Sequence, residues 1–274
     1  MRHCGPTSGA LQETSPSLSV VIPAFNEEGR LLPYLSSIVQ YCSQRAIAHE
    51  ILVVDDGSVD GTARVIADVA ALHPTVRLIR LDRNRGKGAA VRTGMQQAEG
   101  TLCVFTDADG ATPIEEVERL ETALDNGADL AIGSRVLASR DPQYQVKTLL
   151  HRTIIGALFN AVVRRFGVQG LRDTQCGFKL FRKAVSRDLF SVSTINGFGF
   201  DLELLYVAQR RGYRIAEVPI NWSDQPGSKV SLLRDGYRVI GELLAIRRNA
   251  RHGVYGLPAH RRPLPLTAPL APKE

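Results

Sequence analysis

The sequence predicts an α/β protein with a mainly parallel central sheet flanked by helices. Three observations carry this expectation. Short β-branched runs alternate with amphipathic stretches over roughly the first 110 residues, the pattern of repeated βαβ units. The first, second and fourth of these runs read as apolar, buried strands. Two of them end in acidic clusters, Asp55–Asp56 and Asp107–Asp109. In open parallel sheets, ligands bind outside the carboxyl ends of the strands.

The elements follow in order. LSVVIPAF, residues 18–25, reads as a buried strand cut by Pro23, and NEEGRLLPYLSSIVQYC carries apolar residues at helical spacing. EILVVDDGSVDGT gives a second strand ending in acids and glycine. TARVIADVAAL is helical, VRLIRL a third strand, GAAVRTGMQQA a helix, and TLCVFTDADG a fourth strand. IEEVERLETALDNG is a helix that Asn126–Gly127 stops, and ADLAIGSR is another strand. Residues 146–168, VKTLLHRTIIGALFNAVVRRFGV, form a broad apolar helical face set with basic residues. FDLELLYVAQRRG is helical, YRIAEVPINW a strand, SDQPGSKVS a loop and SLLRDGYRVIGELLAIRRNA a final helix.

With 274 residues and 44% hydrophobic content, the chain can bury one large domain. Three segments are expected: an N-terminal tail at 1–17, a domain at 18–252 and a proline-rich tail at 253–274. The net charge of +6 suits an anionic partner. Charges of both signs are spread along the chain, which argues against a nucleic-acid footprint. Cys4, Cys42, Cys103 and Cys176 form no C-x-x-C pair, a pattern that fits a reducing compartment. No stretch approaches the ~18–20 uninterrupted apolar residues of a spanning helix. The expected location is cytoplasmic, peripheral on the cytoplasmic face of a membrane.

VFTDADGAT, residues 104–112, has two readings. Asp and Gly are ordinary residues of a strand-end turn. In an extended strand, however, side chains at i and i+2 point the same way, about 7 Å apart. Asp107 and Asp109 can then face one cation. Carboxylates with water positions to spare suit Mg²⁺ or Mn²⁺ shared with substrate phosphates. A second acidic strand end, VVDDGSVDG, adds weight to the cation reading.

VVIPAFNEE, ILVVDDGSVDGT, NRGKGAAVRTGM, FTDADGAT, IGSR, DTQCGFKLF, FGFDLELLYVAQ and INWSDQPGSK stand here in one order. In that order the chain resembles the inverting GT-A glycosyltransferases, specifically the polyprenyl-phosphate sugar synthases and above all the dolichyl-phosphate β-glucosyltransferases. The resemblance runs from about residue 18 to residue 248. It implies a GT-A nucleotide-sugar-binding fold with amphipathic, membrane-facing helices added. It implies that Pro23, Phe25 and Glu27 begin the nucleotide pocket, that Asp55 sits by the base, and that Arg85 and Lys87 face the diphosphate. Asp107 and Asp109 would hold the metal and diphosphate. Arg135 matches a position that contacts acceptor phosphate, and Lys229 is a second cation there. It assigns no role to Asp173 or Gln175, and Asp201 reads as an N-cap-like acid opening a helix.

The implied reaction moves a hexose, glucose from UDP-glucose, onto a polyprenyl or dolichyl phosphate with anomeric inversion. GDP-mannose as donor, a soluble hydroxyl acceptor, and a non-catalytic nucleotide-sugar-binding protein are the alternatives. A phosphate monoester has a second pKa near ~6 and is already largely an anionic nucleophile at neutral pH. No general base is therefore assigned. The lipid would be met from the membrane surface, with residues 146–168 lying in the headgroup region; packing into the core is the other reading of that helix.

Overall fold

The computed structural model describes residues 16–147, 168–225 and 232–256. Lys229 and residues 148–167 of the amphipathic segment lie outside them, as do both chain ends. The first half follows the expected alternation. Strands β1 (Leu18–Ala24), β2 (His49–Asp55), β3 (Val76–Arg80) and β4 (Leu102–Thr106) are parallel and stand in the order β3–β2–β1–β4. Helices α1 (Leu31–Gln44), α2 (Thr62–Leu72) and α3 (Lys87–Gln97) make the crossovers.

β1 explains the uninterrupted apolar pattern. Leu18, Val20, Ile22 and Ala24 pack in one core, with the inner faces of α1 and α2. Val21 points the opposite way, into a second core with α3. Pro23 is tolerated because β4 pairs with β1 only from Leu18 to Val21, so the missing N–H falls beyond that ladder.

The second half departs from a purely parallel sheet. Among the described residues the sheet has seven strands, ordered β3–β2–β1–β4–β7–β5–β8. β5 is Leu130–Ser134 and β8 is Ile215–Pro219, parallel to each other. Between β4 and β5 runs β7 (Phe178–Arg182), antiparallel to both. The sequence reading did not single out β7 as a strand. Its second residue is Lys179, a charge between Phe178 and Leu180, and that lysine is fully buried.

The helix predicted from IEEVERLETALDNG begins as a 3₁₀ turn, Ile114–Glu116, and continues as α4 (Val117–Asp125). Gly127, at φ +98, ends it in the left-handed region as expected. α5 (Arg135–Ala138) follows β5, and β6 (Val146–Lys147) pairs with β9 (Trp222–Ser223) in a small parallel sheet. The remaining helices are α6 (Lys183–Val192), α7 (Phe200–Arg210) and α8 (Leu232–Arg251). Packing does not stop at residue 252. Tyr255 is fully buried, donates its hydroxyl to Glu203 Oε1 at 2.9 Å, and accepts from Arg211 Nη2 through its carbonyl at 2.6 Å. No helix among the described residues is long and apolar enough to cross a membrane.

Candidate active site

The carboxyl ends of β1, β2 and β4 open on one cavity of about 410 Å³. Pro23, Phe25, Glu27, Lys87, Asp107 and Asp109 all line it, so the fold gathers six of the predicted residues. Asp55 and Arg85 are not among the lining residues. Asp55 is wholly buried, accepting from the Ser58 amide at 2.9 Å and lying 3.3 Å from Arg80 Nε. Its neighbour Asp56 lines the cavity instead.

Asp56 ties the end of β1 to the turn that opens α3. Its amide donates to the Ala24 carbonyl at 2.8 Å, and its carboxylate accepts from the amides of Arg85 at 2.7 Å and Gly86 at 2.8 Å. Burial pushes the Asp56 carboxyl up, and these two amide bonds oppose that. Gly86 sits at φ +101, and a Cβ there would meet the Asn196 carbonyl oxygen at 2.4 Å. The turn therefore needs glycine. It delivers Lys87 as the first residue of α3, at the positive end of the helix dipole, which favours anions.

The aspartate pair does not converge as strand residues. β4 ends at Thr106 and Asp109 lies in a turn, its Oδ1 accepting from the Ala111 amide at 3.1 Å. VFTDADGAT is thus a strand-end turn, and the turn leaves both carboxylates lining the cavity. Gly177 makes room for one of them, because a Cβ there would stand 2.2 Å from Asp107 Oδ2. Burial and then the Asp107 charge push the Asp109 carboxyl up. Asp107 Oδ1 lies 2.6 Å from Lys87 Nζ, yet it is buried without an aligned hydrogen bond.

These residues fit a hard divalent cation in one way. No group of three His, Cys, Asp or Glu able to cage an ion occurs among the described residues. An ion on Asp107 and Asp109 would therefore complete its shell with water and substrate oxygens, the habit of Mg²⁺ and Mn²⁺ at diphosphates.

Arg135 stands outside the cavity lining. Its guanidinium makes two bonds to Asp173, at 2.7 and 2.8 Å, and lies 5.4 Å from the centre of the Trp222 ring. Asp201 is not a cap: Gly199 holds that position, and the Asp201 carboxylate turns inward to Lys179 Nζ at 2.5 Å. Burial holds the Asp201 carboxyl above its ordinary range, and the Lys179 charge opposes this without reversing it.

Sequence reasoning missed several lining residues. Arg30 pairs with Glu27 in two bonds of 2.7 Å. Phe198 comes from the loop before α7, and Arg238 and Glu242 come from α8. Glu242 Oε2 accepts from the Gly199 amide at 2.7 Å, which fixes that loop. The doubled acid of VVDDG was a signal for Asp56. Nothing local marks Arg238 or Glu242.

The profile of Glycosyl transferase family 2 matches residues 19–190, well over half of the chain. The chain belongs to that family. The family-2 chain is 39% identical over 222 residues to the dolichyl-phosphate beta-glucosyltransferase ALG5C of Trichomonas vaginalis, covering 77% of this chain. The match spans 65% of that relative's length. It is 36% identical over 272 residues to the dolichyl-phosphate beta-glucosyltransferase of Homo sapiens, covering 92% of this chain and 83% of that one. Among solved structures, glucosyl-3-phosphoglycerate synthase from Mycobacterium tuberculosis, in complex with Mn²⁺, UDP-glucose and phosphoglyceric acid, superposes with a TM-score of 0.61. The pair share 20% identity over 89% of this chain and 81% of that one. That likeness gives the family-2 chain a GT-A-like α/β fold.

Proposed function

We propose that this protein transfers glucose from UDP-glucose to dolichyl phosphate or a similar polyprenyl phosphate, inverting the anomeric centre with help from a divalent cation. The observation that carries the reading is the run of relatives named dolichyl-phosphate beta-glucosyltransferases, aligned over 77–92% of the chain. The cavity chemistry agrees with it. The catalytic unit runs from residue 18 through Tyr255, with the tails and the 146–168 interface segment attached to it.

The donor nucleotide takes the space beside Pro23, Phe25 and Glu27. Asp107 and Asp109 would hold Mg²⁺ or Mn²⁺, which when bound offsets charge on the departing diphosphate. Lys87 and the α3 N-terminus place positive charge on the same group. The acceptor phosphate arrives as an anion and needs no base. Asp201, engaged by Lys179, is assigned none. Arg135, oriented by Asp173 and Trp222, screens and aligns the acceptor phosphate for in-line attack, with Lys229 as its second cation. The lipid chain stays at the cytoplasmic membrane surface, which residues 146–168 engage through their apolar face and basic flanks.

The test is product analysis with UDP-glucose and Mn²⁺, offering dolichyl phosphate in one arm and soluble hydroxyl acceptors in the other. Glucose linked to lipid phosphate in the first arm alone is expected. Transfer to a hydroxyl acceptor with none to lipid phosphate overturns the acceptor assignment. Donor binding without any transfer product marks a non-catalytic binder.

A further inference from the structure

The cations around the aspartate pair are unequally committed. Arg30 is held by Glu27 in two bonds of 2.7 Å, and Lys179 is fully buried against Asp201 at 2.5 Å. Lys87 is the cation in contact with Asp107, at 2.6 Å, and both side chains can be reached from the cavity, at 20% and 38% exposure. The contact is one of charge rather than alignment, since Asp107 Oδ1 has no hydrogen-bond partner of good geometry. Lys87 also stands 6.0 Å from the Phe200 ring centre and feels the charges of Asp201 and Asp109.

An ammonium and a hard divalent ion compete for the same carboxylate oxygen. An ion arriving alone at Asp107 Oδ1 must displace Lys87 and then tolerate a like charge beside it, with no new partner for the lysine. A nucleotide diphosphate changes this, because its anionic oxygens give the ammonium somewhere to go. We propose that Lys87 guards the Asp107–Asp109 pair against a bare metal ion and yields it only when a diphosphate arrives to take the ammonium. The proposal rests on the metal-assisted reading of the cavity. Its consequence is that metal and nucleotide load together, each raising the other's affinity by the same factor.

The diphosphate would itself ligate the metal, so coupling in the wild type alone does not separate the two causes. The discriminating quantity is Mn²⁺ affinity without nucleotide. It can be read from the free-ion electron paramagnetic resonance signal and from the Mn²⁺-induced rise in Tm, for wild type, Lys87→Met, Lys87→Gln and Lys87→Arg. Loss of one charged contact is expected to tighten nucleotide-free Mn²⁺ binding about tenfold or more in the Met and Gln variants. Lys87→Arg, which keeps the charge, should stay near wild type. UDP affinity should fall in the Met and Gln variants, and the UDP–Mn²⁺ coupling factor should shrink. If a variant is too unstable to titrate directly, a larger Mn²⁺-induced Tm rise than in wild type carries the same information. Wild type that binds Mn²⁺ with UDP, beside variants no tighter than wild type without it, overturns the guard and leaves the metal reading intact. If no form binds Mn²⁺ even with UDP, the metal reading falls and takes the guard with it.

Discussion

Asp173 grips Arg135 three times: Oδ2 accepts from Nε at 2.7 Å and from the Arg135 amide at 3.0 Å, while Oδ1 accepts from Nη2 at 2.8 Å. Asp173 is in turn fixed by its own amide, which donates to Glu217 Oε1 at 2.8 Å. The guanidinium is therefore set at the end of β5 with little freedom to swing. Lysine has no planar fork to accept this grip. Arg135→Lys, and more severely Arg135→Ala, should raise the acceptor KM or lower kcat about ten- to a hundred-fold. Donor binding measured without acceptor should change little. Weakened UDP-glucose binding with unchanged acceptor kinetics would assign Arg135 to the donor diphosphate instead.

The same pair governs acid stability. Burial alone would push the Asp173 carboxyl up, but the Arg135 guanidinium and its bonds outweigh this and hold it below the ordinary range. A carboxyl depressed in the folded state contributes stability that is present above its unfolded pKa, about 3.9, and lost as pH falls through the folded value. Asp173→Asn removes that contribution. The stability gap between wild type and variant, from urea titrations at stepped pH, should be constant down to about pH 4 and narrow below it. A gap that widens on acidification contradicts this assignment.

Asp109→Asn should abolish turnover in a metal-dependent assay while the fold survives, because an amide cannot replace the carboxylate's charge at a hard cation. Circular dichroism checks the fold and Mn²⁺-dependent UDP binding checks the site. Full activity of the folded variant would end the metal reading.

Lys179 and Asp201 form an ion pair sealed between β7 and α7, at 0% and 3% exposure. Lys179→Met leaves the buried Asp201 carboxyl without its ion-pair partner and should cost roughly 3–5 kcal/mol. The double variant Lys179→Met with Asp201→Leu removes both charges and should recover most of that loss. Urea denaturation of the two variants decides it; a double variant less stable than Lys179→Met would mean that the pair is not coupled.

Tyr255 closes the core from the C-terminal side. Glu203, also fully buried, accepts from its hydroxyl and from the amides of Thr194 and Ile195, which precede the Phe198 cavity loop. Tyr255→Phe should cost about 0.5–1.5 kcal/mol. Ending the chain at residue 252 removes the whole ring and should cost about 3–5 kcal/mol. An unchanged urea midpoint in the shortened chain would show that the packed unit ends before Tyr255.

The first half of the fold was legible because strands covered on both faces leave continuous apolar runs, and Leu18–Ala24 is one. β7 was not, because Lys179 breaks its run, and what makes that lysine tolerable is Asp201, 22 residues away, together with the Cys176 carbonyl. Within the site, acids at strand ends were visible, but a doubled aspartate does not say which member turns inward. Asp55 went to Ser58 and Arg80, and Asp56 to the cavity. The partner of Arg135 lies 38 residues along the chain and is brought to it by folding. Glu242 reaches Gly199 across 43 residues in the same way.

The most direct measurement is a donor-by-acceptor matrix: UDP-glucose and GDP-mannose, each with and without dolichyl phosphate, in Mn²⁺, in Mg²⁺ and in chelator. The product is extracted and its anomeric configuration read by NMR. The expected result is lipid-linked glucose from UDP-glucose alone, inverted at the anomeric carbon and lost in chelator. Mannose transfer from GDP-mannose in preference to glucose, or a product of retained configuration, would contradict it.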